Sequence, residues 1–398
     1  MNHDPEILII ILLSISFLSA AISLWARFRP VWNAGSAVLP SDSSEEDKAN
    51  PAVCPKVSVI VYAFTEEDEI HEYLAMAMAQ DYPDYEVILV NEGGAETTAD
   101  LAKRLKAIYP ERLYVTFIPE ESRNLSRRKL AQTVGMKAAS GEFVVTTTSN
   151  CLIPSRCWLS DLMRPAVENP EIDVTLGYSH VDFQTLHGAG KWYRQMNATL
   201  TSSQWIGAAY GGHPFRGDSN NLAFRRELFF RHKGYAKTLH LVNGDDDLFL
   251  REIMTPDNTR TAITADSILV TEWGDSANRI LADIRERYQF TARFLPRWPF
   301  LRCGLGSLMQ WVMVLSALAA AIMGFRFLTL SFIPAVVAFA IVCANWIGEV
   351  LVYRRTARRL GSVCLWWSLP WFLLWHPFGN LAFKLKCRLR IRKNYTFA

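Results

Sequence analysis

The run VSVIVY at residues 57–62 is almost wholly apolar and rich in β-branched side chains, which is typical of a buried strand. Similar runs follow at 86–90 (EVILV) and 143–147 (FVVTT), and helical patterns lie at 67–80, 97–108 and 127–139. Apolar strands that alternate with helices favour a parallel sheet covered on both faces. The sequence therefore predicts an α/β domain.

Two loops of this predicted sheet carry polar side chains suited to a nucleoside. In parallel α/β sheets, ligands bind at the carboxyl ends of the strands. The loop AFTEEDEI at 63–70 offers Glu66, and NEGGAETTAD at 91–100 offers Asn91 and Glu92. Oxygen acceptors can bind base and ribose, and glycine allows close backbone approach. Taken singly, each loop also fits a solvated helix start.

The stretch NLSRRKLAQTVGMKAASGEFVVTTTSNC at 124–151 opens with a basic cluster and returns through a helix to a strand. Lys129 is a candidate to face a diphosphate; a solvated basic helix start explains it equally well. Arg285, Arg287, Arg293 and Arg297 lie where the chain approaches an apolar region. Arginine forks suit phosphates, and such a segment also suits a membrane surface.

Three consecutive acids, Asp245, Asp246 and Asp247, follow a glycine and precede an apolar segment. Like charges packed together raise the free energy unless a cation or a proton compensates them. One of them is a natural general base. Acids in the first turn of a helix are the structural alternative, and we favour the functional interpretation.

Both ends of the chain are apolar, whereas its middle has the composition of a soluble protein. The net charge of +3 does not indicate a nucleic-acid partner. Ile7–Trp25 contains no charged residue, and roughly 20 apolar residues span a bilayer. Acids precede this run while Arg27 and Arg29 come after it. This order favours a retained anchor over a cleaved signal peptide and places the segment after Trp25 in the cytoplasm.

A second apolar region lies near the C-terminus. Leu305–Phe325 and Phe327–Tyr353 predict a helical hairpin with arginines on both flanks. Within it we expect Glu349 to be an interfacial carboxylate near Arg354, rather than a buried functional acid. Cys364–Phe383 is apolar but broken by prolines, so we expect a re-entrant or interfacial segment whose basic tail lies on anionic headgroups.

These observations divide the chain into five parts: a transmembrane anchor at 1–29, a flexible polar linker at 30–55, the α/β domain at 56–300, a membrane region at 301–384, and a basic cytoplasmic tail at 385–398. The cysteines number seven and form no CxxC pair. This pattern predicts free thiols in a reducing compartment, with neither a disulfide framework nor a zinc site.

The order of these motifs resembles the family 2 glycosyltransferases, inverting enzymes of the GT-A fold, and particularly their bacterial membrane-anchored members. The resemblance spans residues 56–299. The family's first strand and nucleotide loop resemble VSVIVYAFTEE. Its second strand resembles EVILVNEGGAETT, in which Asn91 and Glu92 stand in place of two acids. The family's phosphate-facing helix resembles SRRKLAQTVGMKAASGEFVV. Its acceptor loop resembles GDSNNLAFRRELF, and its Glu-Asp motif resembles NGDDDLFL.

The resemblance implies an α/β GT-A domain, Rossmann-like, of the nucleotide-diphospho-sugar transferase type, plus transmembrane α-helices. It implies transfer of a sugar from a UDP- or GDP-linked donor to a lipid-linked or glycan acceptor, with inversion, in cell-envelope polysaccharide synthesis. The implied catalytic base is Asp246. IRERY resembles the family's QxxRW motif and keeps its arginine as Arg287. The implied location is the bacterial inner membrane, multi-pass, with membrane lipids and envelope-synthesis proteins as partners and no nucleic acid.

One motif departs from the family. Its Asp-x-Asp metal motif should fall at Thr148–Ser149–Asn150, where both carboxylates are missing. Neutral oxygens are poor ligands for Mg²⁺ or Mn²⁺ compared with carboxylates. Either other acids such as Asp245 or Asp247 hold the metal together with Asn150, or Lys129 and Arg287 neutralise the diphosphate without one. The alternative function is a catalytically inactive assembly or regulatory protein. We expect weak metal dependence.

Overall fold

The computed structural model describes residues 4–40, 54–64, 67–92, 95–119, 126–188, 190–239, 241, 244, 247–327, 332–362 and 366–394. The helices are α1 Asp4–Ser23, α2 Arg29–Ala37, α3 Glu67–Met78, α4 Ala95–Ile108, α5 Arg127–Ala138, α6 Trp158–Glu168, α7 Lys191–Tyr210, α8 Arg226–Arg231, α9 Asp247–Ile253, α10 Ala277–Thr291, α11 Arg297–Phe327, α12 Ile333–Arg359 and α13 Leu369–Asn394. The strands are β1 Val38–Leu39, β2 Val57–Ala63, β3 Tyr85–Asn91, β4 Leu113–Phe117, β5 Phe143–Thr148, β6 Cys151–Leu152, β7 Val174–Leu176, β8 Ser179–Val181, β9 Leu222–Arg225, β10 Thr259–Thr261, β11 Ile263–Thr264 and β12 Leu269–Thr271.

The central sheet has seven strands in the order β10-β7-β9-β5-β2-β3-β4. The strands β5, β2, β3 and β4 run parallel, which confirms the predicted alternation of strands and helices. β9 is antiparallel to both of its neighbours, β5 and β7. The sheet is therefore mixed, because a strand from the later GDSNNLAFRRELF stretch inserts beside β5. The apolar run that forms β9 is short, and its residue pattern does not specify whether the strand runs parallel or antiparallel to β5.

The core of this domain lies on the sheet faces, as continuously apolar strands require. Every residue of β2 and β5 is buried, and α3, α4 and α6 contribute buried side chains to the same core. α5 packs closely on β2: a Cβ added at Gly135 would lie 2.6 Å from Ile60 Cγ2. This close approach sets the position of the helix that carries the basic cluster.

The chain divides into two compact units. One comprises Met1–Ser36, Thr199–Gly207 and Pro296–Lys386, and the other comprises Ala37–Ala198, Ala208–Leu295 and Cys387–Ala398. The second contains all three sheets: the seven-stranded one, the three-stranded sheet β6-β12-β8, and the pair β1-β11.

Among the residues that the structure describes, three helices are long and apolar enough to cross a membrane: Pro5–Ala37, Arg297–Phe327 and Ile333–Arg359. The N-terminal helix is continuous because a π-helical turn, Leu24–Phe28, joins α1 to α2. The predicted start of the polar linker at residue 30 is therefore wrong: helix continues to Ala37, and β1 follows. Helices α11 and α12 cover the two stretches predicted to form a hairpin, while the tail predicted from 385 onward is helical to Asn394 as part of α13.

Three polar side chains connect these apolar helices. Arg27 Nη1 donates to Gln310 Oε1 at 2.6 Å, and Gln310 Nε2 donates to Glu349 Oε2 at 3.3 Å. Glu349 is 0 % exposed, so the expectation of an interfacial carboxylate is wrong. Its carboxylate contacts Gln310 on α11. Buried polar groups are retained where other polar groups satisfy them, and these contacts connect the π-helical turn that contains Arg27 with α11 and α12.

Candidate active site

The carboxyl ends of β2, β3 and β5 lie side by side. Tyr62 is in register with Thr148, and Ala63 with Asn91. Glu92 N donates to Ala63 O at 2.8 Å, and Ser149 N donates to Tyr62 O at 2.9 Å. The loops after these strands therefore meet at one edge, where ligands of parallel sheets bind. Glu66, predicted for this edge, lies outside the described residues.

Glu92 is held by two neighbouring side chains. The Tyr62 hydroxyl donates to Glu92 Oε2, and Arg127 Nε donates to Glu92 Oε1. Arg127 Nη2 also donates to the Glu92 carbonyl oxygen at 2.9 Å. Burial and the bond to Glu92 raise the pKa of the Tyr62 phenol, so the phenol stays protonated and remains a donor. Asn91 is buried beside Glu92 at the end of β3.

The turn Thr148–Ser149–Asn150 is bound into the surrounding structure. Thr148 Oγ1 donates to Asn150 Oδ1 at 2.9 Å, and Asn150 Nδ2 donates to the carbonyl oxygen of Glu272 at 2.9 Å. Glu272 N returns a bond to Asn150 O at 3.0 Å. Both ends of the Asn150 amide thus bind protein atoms, and all three turn residues are buried.

This turn does not fit a divalent metal ion. Its oxygens are neutral, and hard cations favour carboxylate oxygens. Within the described ranges, no group of three or more His, Cys, Asp and Glu side chains is arranged to hold a metal. Asp245, the other predicted ligand, lies outside those ranges.

Two residues of the basic helix have different surroundings. Lys129 is 3 % exposed, and its Nζ donates to Thr238 O at 2.7 Å and to Leu241 O at 2.8 Å. The predicted phosphate ligand thus anchors a neighbouring loop. Arg128 Nη2 donates to Ser219 Oγ at 2.7 Å and to Asn220 Oδ1 at 2.5 Å. Arg128 adjoins Lys129 in the same basic cluster and was not predicted as a site residue.

The described part of the acidic motif is Asp247, at the start of α9. Asp247 is 0 % exposed; its Oδ1 accepts from Arg216 Nε at 2.9 Å, and its Oδ2 accepts from the Thr291 hydroxyl. The Arg216 guanidinium also lies 4.0 Å from the centroid of the Tyr288 ring. A fully buried ion pair does not suit a base that must reach an acceptor hydroxyl. It supports a structural role for Asp247, whose catalytic role stays a prediction. Asp245 and Asp246 lie outside the described residues.

The segment predicted to face the acceptor is firmly held. Asp218 Oδ2 accepts from Ser179 N at 2.8 Å, and Asn221 Nδ2 donates to Tyr178 O at 2.9 Å. Nearby His180 stacks on Phe183 with 5.1 Å between ring centroids. Burial lowers the pKa of His180, which favours a neutral imidazole near pH 7. His180 was not predicted, because an isolated histidine gives no motif.

Arg287 lies on α10 and is partly exposed. Two further residues at the edge of the site were not predicted. The Glu272 carboxylate follows β12 and accepts from the Tyr73 hydroxyl at 2.6 Å. The Trp273 ring stacks on Phe64 with 5.6 Å between centroids. The pairing of β12 with β6 brings this segment beside the turn at 148–150, and a short strand far along the chain does not reveal its partner.

Comparison with known proteins agrees with this architecture. Residues 58–226 match the family described as Glycosyl transferase family 2. No curated protein matches the chain in sequence. A mannosyltransferase from Pyrobaculum calidifontis, solved with GDP-Man and Mn²⁺, is similar in structure with a TM-score of 0.50 and 19% identity, covering 88% of this chain and 98% of its own.

A glucosyl-3-phosphoglycerate synthase from Mycobacterium tuberculosis, solved with Mn²⁺, UDP and glucosyl-3-phosphoglycerate, has a TM-score of 0.43 and 14% identity, covering 67% of this chain and 86% of its own. The family match covers β2 through the start of α8, which includes the strand ends and the turn at 148–150. The mixed sheet and the first of these structures agree on the fold. Residues 58–226 thus belong to a family 2 glycosyltransferase domain of the GT-A fold.

Proposed function

We propose that this chain transfers a sugar, with inversion, from a UDP- or GDP-linked donor to a lipid-linked or glycan acceptor in cell-envelope polysaccharide synthesis. The observation that carries the proposal is a family 2 domain whose loops after β2, β3 and β5 converge at one edge of the sheet. GDP-Man is bound in the Pyrobaculum mannosyltransferase. The lipid-linked acceptor is proposed because three helices of the described chain are long and apolar enough to cross a membrane.

The proposed step is one displacement at the anomeric carbon. The acceptor oxygen forms a bond to that carbon while the bond from the carbon to the phosphate oxygen breaks, and its electron pair goes to the leaving nucleoside diphosphate. Asp246 takes the acceptor proton as general base. Asn91 and Glu92 line the nucleoside end, and Arg287 is the sequence-derived candidate for the diphosphate, where preorganised positive charge stabilises the leaving group.

Metal dependence tests this mechanism. We expect the rate of transfer by the purified protein in EDTA to be less than about tenfold below the rate in Mn²⁺, which corresponds to a barrier change below about 1.4 kcal/mol. The reason is the neutral turn at Thr148–Ser149–Asn150, whose amide is bound to Glu272. Substrate phosphates alone can still hold Mg²⁺, so a modest stimulation of transfer by a divalent ion is consistent with the proposal. If EDTA abolishes sugar transfer and added Mn²⁺ restores it, the proposal is contradicted, and Asp245 becomes the candidate metal ligand.

The alternative function is a catalytically inactive protein that binds a nucleotide and serves envelope assembly. The neutral turn favours this alternative, because a carboxylate pair is missing there. The acids Asp245 and Asp246 favour the enzyme. Saturable donor binding without transfer to any acceptor, with metal or without, would support the inactive protein.

We also propose that the catalytic domain and the C-terminus are cytoplasmic at the bacterial inner membrane. Arginines come after the first apolar run and flank α11 and α12, as the positive-inside rule requires of cytoplasmic flanks. A green fluorescent protein fused after Ala398 should fluoresce, and alkaline phosphatase at the same position should be inactive. An active phosphatase there would show that α13 crosses the membrane.

A further inference from the structure

The N-terminal helix and α11 pack against each other in opposite directions. Ser16 Oγ donates to the carbonyl oxygen of Met313 at 3.1 Å, and Ser23 Oγ donates to that of Gly306 at 3.1 Å. Moving along the N-terminal helix from Ser16 to Ser23 therefore means moving back along α11. The residues that follow Ser23 and those that precede Gly306 lie at one end of this helix pair.

Arg29 and Arg302 lie at that end, the first after Ser23 and the second before Gly306. Their two positive charges act unfavourably on one another, as charges do at short distance. Neither guanidinium forms a hydrogen bond or an ion pair with another described residue. Arg302 Nε is buried and has no hydrogen-bond partner among those residues. The two arginines therefore form a pair of like charges that the described chain does not compensate.

The acidic side chains of this compact unit lie elsewhere. Its sequence contains three acids: Asp4, Glu6 and Glu349. Asp4 and Glu6 are in the first turn of α1, more than about 30 Å from Arg29 along a helix that rises about 1.5 Å per residue. Glu349 is buried and accepts from Gln310 Nε2. The arginine pair therefore calls for an anion that this unit does not contain.

The residues around the pair suit the boundary of a membrane. Trp25, which precedes Arg29, is 46 % exposed, and Trp298, which precedes Arg302, is 61 % exposed. Tryptophan is enriched where a membrane meets water. Leu301 is also exposed, and exposed apolar side chains of a spanning helix contact acyl chains. A lipid whose phosphate meets the arginines would lay an acyl chain along this exposed face of α11.

We propose that Arg29 and Arg302 together bind the phosphate of an anionic membrane lipid. This rests on the proposed membrane insertion of the helices, and not on the proposed sugar transfer. Guanidinium groups match phosphate oxygens in geometry and keep their charge. A phosphate between the two arginines converts their mutual repulsion into two attractions. Anionic lipids attract basic residues at the cytoplasmic face, where the positive-inside rule places this end of the helices.

The test is binding of phosphatidylglycerol and phosphatidylcholine to the full chain in detergent, measured by native mass spectrometry. Both lipids contain a phosphate, but the choline group neutralises it in the second. Phosphatidylglycerol should bind wild type more tightly than phosphatidylcholine. Arg302→Gln should bind phosphatidylglycerol about tenfold more weakly than wild type, the lower end of the range for a hydrogen bond to a charged group. The double variant Arg29→Gln with Arg302→Gln should bind the two lipids equally.

Arg326→Gln is the matched control. Arg326 is an exposed arginine at the other end of α11, where its guanidinium lies 5.9 Å from the centroid of the Phe327 ring. The substitution removes the same charge from the same helix, and this variant should bind phosphatidylglycerol like wild type. Equal losses in Arg326→Gln and Arg302→Gln would show a general attraction between charges and overturn the proposed site.

Two further measurements separate the source of the phosphate and the two proposals. Millimolar inorganic phosphate should not displace phosphatidylglycerol, because it has no acyl chains; displacement would overturn the assignment to a lipid. Washing of membranes with alkaline carbonate tests insertion. If the wash releases the chain, the proposed membrane insertion is wrong, and the lipid site is wrong with it. If the chain stays in the membrane but wild type binds both lipids equally, the lipid site alone is wrong.

Discussion

Asp246→Asn should lower sugar transfer by about 10²–10⁴-fold, the contribution typical of a general base, while nucleotide binding stays close to that of wild type. The amide keeps the shape of the carboxylate but cannot take the acceptor proton. The neighbouring Asp247 cannot substitute, because it is fully buried in an ion pair with Arg216. Initial transfer rates and calorimetric donor affinities, measured on the same preparation, separate the two effects.

Asp257→Asn is the control for this substitution. Asp257 is an exposed aspartate in the turn before β10, and the same chemical change there should leave transfer unchanged. Full activity of Asp246→Asn would remove Asp246 from the mechanism and leave Asp245 as the base. Loss of donor binding together with transfer would show that Asp246 holds the donor instead.

Asp247→Leu should lower the free energy of unfolding by about 3–5 kcal/mol, the range for breaking a buried ion pair. The substitution leaves Arg216, which is 3 % exposed, without its carboxylate, and it also removes the acceptor of the Thr291 hydroxyl. Unfolding by denaturant in detergent, followed by tryptophan fluorescence, measures the loss.

The double variant Arg216→Met with Asp247→Leu separates a broken ion pair from a damaged core. Replacing both charges with apolar side chains of similar size removes the unpaired charge, so most of the lost stability should return. If Asp247→Leu unfolds like wild type yet transfers no sugar, then Asp247 belongs to the chemistry and its assigned structural role is wrong.

The elements that the sequence predicted well are those with a strong local pattern. The strands β2, β3 and β5 are continuously apolar, and α3, α4 and α5 have helical periodicity, so each was predicted within a few residues. β4, a five-residue strand at the edge of the sheet with a single fully buried residue, was not predicted. The antiparallel direction of β9 depends on its neighbours across the sheet, which no local pattern encodes.

The candidate site was predicted less completely, for a similar reason. The positions of Glu92 and of the 148–150 turn depend on the strands that precede them, and those strands were recognised. The contacts of Lys129 and Arg128 depend on which residues of the 217–241 stretch pack against α5. Two adjacent basic residues on a helix point in different directions, and only the fold shows which residues each one contacts.

The wrong predictions for Glu349 and for the start of the N-terminal linker have the same cause, because a local sequence pattern does not show which residues meet in the fold. Glu349 lies near arginines in sequence, whereas its contact is with Gln310 on another helix. Hydropathy predicted the presence of the apolar helices, but the N-terminal helix continues into the more polar segment that ends at Ala37. Helix ends are therefore the least certain part of a sequence-based division into domains.

The most direct test of the central claim is a titration of the detergent-purified chain with a panel of UDP- and GDP-linked sugars, in EDTA and in Mn²⁺, with sugar release or transfer scored alongside binding. We predict saturable binding of at least one donor in EDTA, with release or transfer of its sugar that Mn²⁺ changes by less than about tenfold. Absence of binding to every donor under both conditions would contradict this claim.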